Sequence, residues 1–171
     1  MTNNLFIGIE DIEEPAWFQA VEPFVEKVLE KRNHSNWELS ILFCSDTLIQ
    51  QYNNDFRQID SPTDVLSFEQ GDEYIDDEGH KWFTAGDIAI SIESLMKNVA
   101  EFGVTPNEEL KRLLIHGILH LEGMDHGDAH ITRDSHITSD TTGKDTGDEM
   151  LAIQEALLIE MKEEKIIKDE A

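Results

Sequence analysis

The stretch from Thr105 to Gly123 constrains the fold of this chain more than any other part of the sequence. It opens with TPNEEL, where Thr105 suits an N-cap, Pro106 suits the first helical position and acidic residues suit the first turn. Gly123 is a suitable end, since glycine readily adopts the left-handed conformation that terminates helices. Apolar residues lie in between, at Leu113, Leu114, Ile118, Leu119 and Leu121. The pattern predicts a helix from Pro106 to about Glu122 that faces the core.

The remaining elements are predicted from apolar periodicity and turn signals. Strands are expected at 4–10, 36–45, 65–69 and 83–92, with 71–81 as an acidic loop or hairpin tip. Helices are expected at 15–32 with Pro15 in the first turn, at 47–57 after a cap at Ser45 or Asp46, at 93–102 and at 148–168. Residues 127–147 are polar and are predicted to form a loop insertion. We predict one α+β domain over residues 1–171, with a small mixed four-stranded sheet packed against several helices.

Composition narrows the class of protein. The chain has 171 residues, of which 39% are hydrophobic, enough for one domain with a core. Its single cysteine, Cys44, lies in the apolar run LSILFCS and is predicted to be a small buried side chain. The sequence has neither a signal-peptide pattern nor an apolar run of about 20 residues, so a cytoplasmic protein is expected. The formal net charge of −24 argues against a broad nucleic-acid-binding face, although a local basic groove remains compatible with it.

Three histidines at the end of the long helix predict a metal site. His116 and His120 are four residues apart, so both rings project from one face of the helix. A break at Gly123 allows the chain to turn back and present His126 as a third ligand. Three protein ligands plus water are typical of a catalytic zinc site, whereas structural sites usually have four protein ligands. We therefore predict one Zn²⁺ ion at the floor of a cleft, although nickel, copper and cobalt also suit three imidazoles.

Gly117 and Arg57 indicate the kind of chemistry. Zinc peptidases with the H-E-x-x-H motif carry a glutamate as general base after the first histidine, and Gly117 stands in its place here. RNA cleavage can instead use the neighbouring 2′-hydroxyl as nucleophile, so a metal and a positive charge on the phosphate can suffice. Arg57, in a loop between a helix and a strand, has the planar guanidinium that binds phosphate in a bidentate manner. The alternative is a surface arginine paired with Asp55 or Asp60.

Three segments together resemble the YbeY family of bacterial metal-dependent endoribonucleases and ribosomal RNA maturation factors. They are HGILHLEGMDH at 116–126, the block from Arg57 through PTDVLSF at 62–68, and GDI at 86–88. The resemblance implies zinc held by His116, His120 and His126, and a functional arginine at Arg57 in the same cleft. It also implies single-stranded RNA as substrate, in maturation of the 3′ end of the small-subunit ribosomal RNA and in ribosome quality control.

The expected partners are therefore RNA, ribosomal RNA and the small ribosomal subunit or its proteins, with no DNA and no membrane. Two other functions stay open at this point. One is a metalloprotease-like hydrolase, because the histidine spacing is that of one class of zinc peptidases, although Gly117 counts against it. The other is a non-catalytic ribosome-assembly factor with a structural metal, which the acidic composition and the missing base favour.

Overall fold

A four-stranded mixed sheet lies at the centre of the molecule, with helices on both of its faces. The computed structural model describes residues 3–124 and 141–168, and of residues 141–148 it describes the backbone alone. In these ranges the strands are β1 (Asn4–Ile9), β2 (Trp37–Cys44), β3 (Val65–Ile75) and β4 (Lys81–Ser91). The helices are α1 (Val21–Lys31), α2 (Asp46–Arg57), α3 (Ile92–Phe102), α4 (Pro106–Leu121) and α5 (Thr141–Glu160).

The strand order is β1-β2-β4-β3, which makes β3 an edge strand. β1 pairs with β2 and β2 with β4 in parallel, whereas β3 and β4 form an antiparallel hairpin. The predicted α+β class, single domain and mixed four-stranded sheet are confirmed. No helix within the described ranges combines the length and the apolar character that crossing a bilayer requires.

The two faces of the sheet carry different helices. On the inner face, Ile88 and Ile90 of β4 belong to the main core, together with buried residues of α1, α4 and α5. On the outer face, Ala89 packs with Ile49 of α2 in a smaller cluster. Because successive strand residues point to opposite faces, α2 and α4 lie on opposite sides of the sheet.

The central helix α4 begins and ends as predicted. The Thr105 hydroxyl accepts a hydrogen bond from the Glu108 backbone N–H at 3.1 Å, with Pro106 next to the cap. At the other end Gly123 has φ +97° and donates its N–H to His120 O at 2.9 Å, while Met124 donates to Leu119 O at 3.1 Å. This pair of bonds is a Schellman motif, which ends the helix.

The first predicted helix is wrong at its start, because α1 begins at Val21 rather than near Pro15. Pro15 lies in a turn, where its carbonyl accepts the N–H of Phe18 at 3.0 Å, and a 3₁₀ turn follows at Phe18–Ala20. The physical reason is Pro23. A helix that started at Pro15 would have Pro23 in its interior, where proline removes a hydrogen bond and clashes with the preceding turn.

The predicted acidic loop at 71–81 is too long, since β3 continues to Ile75 and β4 begins at Lys81. The outer part of this hairpin is exposed and therefore lacks the burial pattern on which the strand prediction relied. Pairing with β4 supplies its backbone hydrogen bonds, and the Tyr74 hydroxyl donates to Glu38 at 2.5 Å. The turn itself occupies residues 76–80.

The last helix is shifted toward the N-terminus relative to its prediction. α5 begins at Thr141, so the loop predicted over 127–147 is wrong in its last seven residues, 141–147, and the rest of that loop lies outside the described residues. Once nucleated, a helix extends through polar residues because each one adds a backbone hydrogen bond. α5 ends at Glu160 rather than 168, since α4 binds the chain that follows: Lys111 Nζ donates to Met161 O at 2.8 Å and to Glu164 O at 3.0 Å.

Candidate metal centre

His116 and His120 lie side by side on α4, as their spacing predicts. Their ring centroids are 4.7 Å apart and the ring planes are inclined at 75°. Two imidazoles that bind one zinc ion through bonds of about 2.0–2.1 Å have ring centres roughly 5 Å apart, so the pair fits a shared ion. Both residues are half-buried on a helix whose neighbouring positions are buried. The third predicted ligand, His126, lies outside the described residues.

Gln154 of α5 contacts the first of these histidines and was not found from the sequence. Its Oε1 lies 2.7 Å from His116 Nδ1, and its side chain is 4% exposed. The sequence did contain a signal. Met150, Leu157 and Met161 form a buried stripe along α5, and Gln154 is a polar residue within that stripe. A buried polar side chain needs a hydrogen-bond partner, and here the partner is a predicted metal ligand.

Gly117 has a packing role that its position in the motif did not reveal. A Cβ atom on Gly117 would lie 2.9 Å from Ile88 Cδ1 and 3.0 Å from Ile88 Cγ2. Ile88 is 1% exposed in the core, so it has little room to move. Glycine therefore allows α4 to approach β4 closely, and a larger side chain, including the glutamate of zinc peptidases, does not fit without a shift of the helix.

A half-buried ion pair holds the end of α4. The Glu122 carboxylate accepts from Arg32 Nε at 2.9 Å and from Arg32 Nη2 at 2.7 Å, and His34 Nε2 lies 2.7 Å from it. The His34 ring in turn stacks on Trp37 at a centroid distance of 3.9 Å. Burial raises the pKa of Glu122, and the hydrogen bonds from Arg32 and His34 outweigh that effect, so its pKa is lowered. This carboxylate fixes the helix end two residues after His120.

The predicted loop position of Arg57 is wrong, because Arg57 is the last residue of α2, which ends at the left-handed Gln58; its side chain is half-buried. Its guanidinium makes no hydrogen bond or ion pair with the described side chains or backbone, so pairing with Asp55 or Asp60 is not observed. Asp60 instead accepts from Gln50 Nε2 at 2.9 Å. Burial lowers the pKa of Arg57, although arginine stays charged at neutral pH. In a chain with 37 acidic and 13 basic residues, a half-buried guanidinium without a carboxylate partner in the described part is suited to an external anion.

Adjacent residues of the edge strand β3 contact the two helices that carry the predicted site residues. The Phe68 ring packs against Phe56 of α2 at a centroid distance of 5.4 Å. The Ser67 hydroxyl donates to the Gly117 carbonyl of α4 at 3.5 Å. The helices that carry Arg57 and the histidine pair therefore pack on opposite faces of the sheet, near the same part of the β3 edge.

A second group of potential metal ligands lies in the β3–β4 turn and was not predicted. Ligand atoms of Asp76, Glu78 and His80 lie within 4.8 Å of one another. The Asp76 carboxylate already accepts from the backbone N–H groups of Glu78 at 2.9 Å and His80 at 2.8 Å. It also accepts from Trp82 Nε1 at 3.0 Å, so this carboxylate organises the turn.

Cys44 is fully buried, which confirms its prediction as a small core side chain. Burial raises the pKa of its thiol to about 12. Since the thiolate is the reactive form, this cysteine is not suited to nucleophilic chemistry.

Comparison with known proteins places these residues in a family context. The family model described as Endoribonuclease YbeY matches residues 7–139. A Treponema denticola protein named Endoribonuclease YbeY is 47% identical over 170 residues, which cover 98% of this chain and 99% of that protein. A Treponema pallidum protein of the same name is 47% identical over 156 residues, covering 91% of this chain and 88% of its own length.

A solved structure supports the fold independently. The solution structure of a Thermotoga maritima protein superimposes with a TM-score of 0.56 and covers 97% of both chains. The sequence identity is 22%, so this likeness concerns the arrangement of strands and helices alone.

Proposed function

The chain belongs to the Endoribonuclease YbeY family, and on that premise we propose that it is a metal-dependent endoribonuclease that cleaves single-stranded RNA. We propose zinc as the ion. The proposed setting is the cytoplasm, where the protein acts on ribosomal RNA at the 3′ end of the small-subunit RNA and in ribosome quality control, with the small subunit or its proteins as partners.

The observation that carries this proposal is the half-buried pair of imidazoles on α4. In the proposal His116 and His120 hold the ion together with His126, which lies outside the described residues. A bound zinc ion supplies Lewis-acid stabilisation of the negative charge that develops on a phosphoryl oxygen. The protein contributes a rigid helix, capped at both ends, that fixes the two rings relative to each other.

Arg57 has the role of binding an RNA phosphate. Its guanidinium is half-buried and engages no carboxylate of the described residues, so its donors are available to a phosphate oxygen pair. Arg57 and the histidines lie near the same part of the β3 edge. An RNA chain that contacts both sites therefore has to run along this edge. A local contact of this kind is compatible with a net charge of −24, which disfavours broad electrostatic binding.

Gly117 favours RNA over peptide as the substrate. A Cβ at this position would lie 2.9 Å from Ile88 Cδ1, so the packing disfavours a glutamate at the position where zinc peptidases carry their general base. Peptide hydrolysis needs that base and also a proton for a poor leaving group. In RNA the 2′-hydroxyl can attack the adjacent phosphorus and form a 2′,3′-cyclic phosphate while the bond to the 5′-oxygen of the next nucleotide breaks. The proton lost by the 2′-oxygen balances the proton gained by the leaving 5′-oxygen, and no water nucleophile has to be activated.

The test is cleavage of a labelled single-stranded RNA, and of DNA of the same sequence, by the purified full-length protein. We expect RNA cleavage and intact DNA. His116→Ala and Arg57→Ala are each expected to lower the rate by about 100-fold or more, the range for loss of one charge-stabilising group. His80→Ala and Lys81→Ala, which remove a histidine and a cationic side chain from the exposed hairpin, are expected to keep the full rate. Equal cleavage by all four variants would rule out the proposal.

A further inference from the structure

The orientation of the Gln154 amide is determined by its second neighbour. Gln154 Nε2 lies 3.1 Å from Glu155 Oε2. Arg112 donates to both oxygens of the same carboxylate, from Nε at 3.0 Å and from Nη2 at 3.2 Å. The hydrogen bonds from Arg112 lower the pKa of Glu155, which keeps it ionised at neutral pH. An ionised carboxylate only accepts hydrogen bonds, so the amide nitrogen must face Glu155 and the carbonyl oxygen must face His116.

The amide orientation determines which nitrogen of His116 carries the proton. A carbonyl oxygen accepts hydrogen bonds and donates none, so at 2.7 Å the Nδ1 atom of His116 is the donor. A neutral imidazole carries one N–H, and the proton on Nδ1 leaves the lone pair on Nε2. Nε2 is then the nitrogen able to bind a metal ion.

We propose that Gln154 is a positioning residue that holds His116 as the Nδ1–H tautomer and so presents Nε2 to the metal ion. The inference rests on the proposed function, since it takes His116 to be a metal ligand. Arg112 and Glu155 act through Gln154, because they prevent the amide from rotating to the orientation in which its N–H₂ group would face the ring.

In this arrangement α5 has the function of orienting a metal-binding histidine on α4. Gln154 reaches His116 across 38 residues of chain, so the ligand geometry depends on the docking of α5 against α4. Arg112 strengthens that docking because it also contacts Glu108 and Glu109 on its own helix. Groups that orient metal-binding histidines in this way typically change metal affinity by about 10- to 100-fold when they are removed.

The first measurement is the tautomer of His116 in the metal-free, full-length protein. Long-range ¹H–¹⁵N correlations of the ring, recorded at about pH 8 where ordinary histidines are neutral, distinguish the two nitrogens. His116→Ala assigns the signal. We expect Nδ1 to be protonated in the wild-type protein and in Gln154→Glu, which keeps an acceptor. In Gln154→Met, which removes the acceptor, we expect the Nε2–H form to appear.

The second measurement is zinc affinity, obtained by competition with a chromophoric chelator. Gln154→Met is expected to bind zinc about 10- to 100-fold more weakly than the wild-type protein. Leu151→Ala, at a 45% exposed position of the same helix, is the matched control and is expected to bind zinc normally.

The two proposals fail in different ways. If His116→Ala binds zinc as tightly as the wild-type protein, the proposed metal site is wrong, and with it the metal part of this inference. If the wild-type His116 carries its proton on Nε2, the role of Gln154 is wrong even where zinc binds, and this result needs no variant to fold. Unchanged tautomer and affinity in Gln154→Met would also overturn it.

Discussion

Among the described residues, α4 and the β3–β4 turn each bring potential metal ligands close together, and the two regions differ in how those side chains are held. On α4, His116 and His120 are half-buried, and Gln154 of the neighbouring helix α5 contacts the ring of His116. In the β3–β4 turn, Asp76, Glu78 and His80 lie close together, but His80 is 62% exposed and Asp76 accepts hydrogen bonds from the turn itself. Potential metal-binding atoms therefore lie close together in both regions, but in the described part of the chain only on α4 does a residue distant in the sequence contact one of them.

The difference predicts which of the two regions would bind a metal ion more tightly. A ligand that is already oriented loses little conformational freedom on binding, whereas exposed side chains must be immobilised at a cost in entropy. The turn carboxylate would also have to keep or exchange its present hydrogen bonds. We therefore expect the α4 region to dominate metal binding although the hairpin group has more negative charge.

Loss of a histidine should give the largest contrast between the two regions. We expect His120→Ala to weaken zinc binding by more than about 100-fold, because loss of a ligand exceeds the effect of losing an orienting partner. His80→Ala and Asp76→Asn should leave the affinity unchanged. Titration with zinc against a chromophoric chelator measures all three variants. If His80→Ala weakens zinc binding more than His120→Ala does, the expected difference between the regions is wrong, since the tight site would then lie in the hairpin.

Neutralising a carboxylate should lower the free energy of unfolding by a different amount in the two regions, and this effect should depend on pH. Glu122 is 9% exposed and binds Arg32 and His34, which are far away in the sequence, so its bonds exist only in the folded protein. We expect Glu122→Gln to reduce the free energy of unfolding at pH 7 by about 1.5–3 kcal/mol, the range for hydrogen bonds to charged groups. The folded-state pKa of Glu122 is lowered from its ordinary value of 4.5. Its contribution is therefore complete above pH 4.5 and is lost as the pH falls through the folded-state pKa.

Urea unfolding at a series of pH values checks this expectation. The difference between wild-type and Glu122→Gln proteins should shrink as the pH falls below 4.5. Asp76→Asn is the control, because the pKa of Asp76 is also lowered, chiefly by the hydrogen bond from Trp82. The partners of Asp76 lie within six residues and remain neighbours in the unfolded chain, so its effect should be smaller. A constant difference down to pH 3 for Glu122→Gln would contradict the role of the ionised carboxylate.

The same distinction between local and distant contacts explains what the sequence predicts and what it does not. The cap at Thr105, the break at Gly123 and the adjacency of His116 and His120 depend on neighbours along one helix, and all three are found. The start of α1 is also a local matter, since Pro23 is incompatible with a helix that begins at Pro15. Helix propensity and capping act over a few residues, so such features are accessible without a structure.

Gln154 and the packing role of Gly117 depend instead on contacts between elements. The residues around Gln154 do not predict that α5 docks beside His116. Gln154 is nevertheless unusual, because it is a polar residue within an apolar stripe. In the sequence Gly117 is informative only through the missing glutamate, because a motif contains residue types and not the distance between α4 and β4. Both features follow from contacts in the tertiary fold, which local sequence patterns do not predict.

The smallest expected effects come from one added methyl group in each region. Gly117→Ala places a Cβ 2.9 Å from Ile88 Cδ1, and overpacking of this kind costs about 1–3 kcal/mol. Gly79→Ala in the turn meets no atom within 4 Å, but its φ of +85° is unfavourable for alanine by about 1–2 kcal/mol. Similar losses of stability therefore arise from a clash in one case and from backbone strain in the other.

Because the clash pushes α4 away from the sheet, Gly117→Ala should also weaken zinc binding, and Gly79→Ala should not. If Gly117→Ala kept both stability and zinc affinity, Ile88 would have room to move, and the absence of a glutamate at this position would need a chemical explanation instead of a steric one.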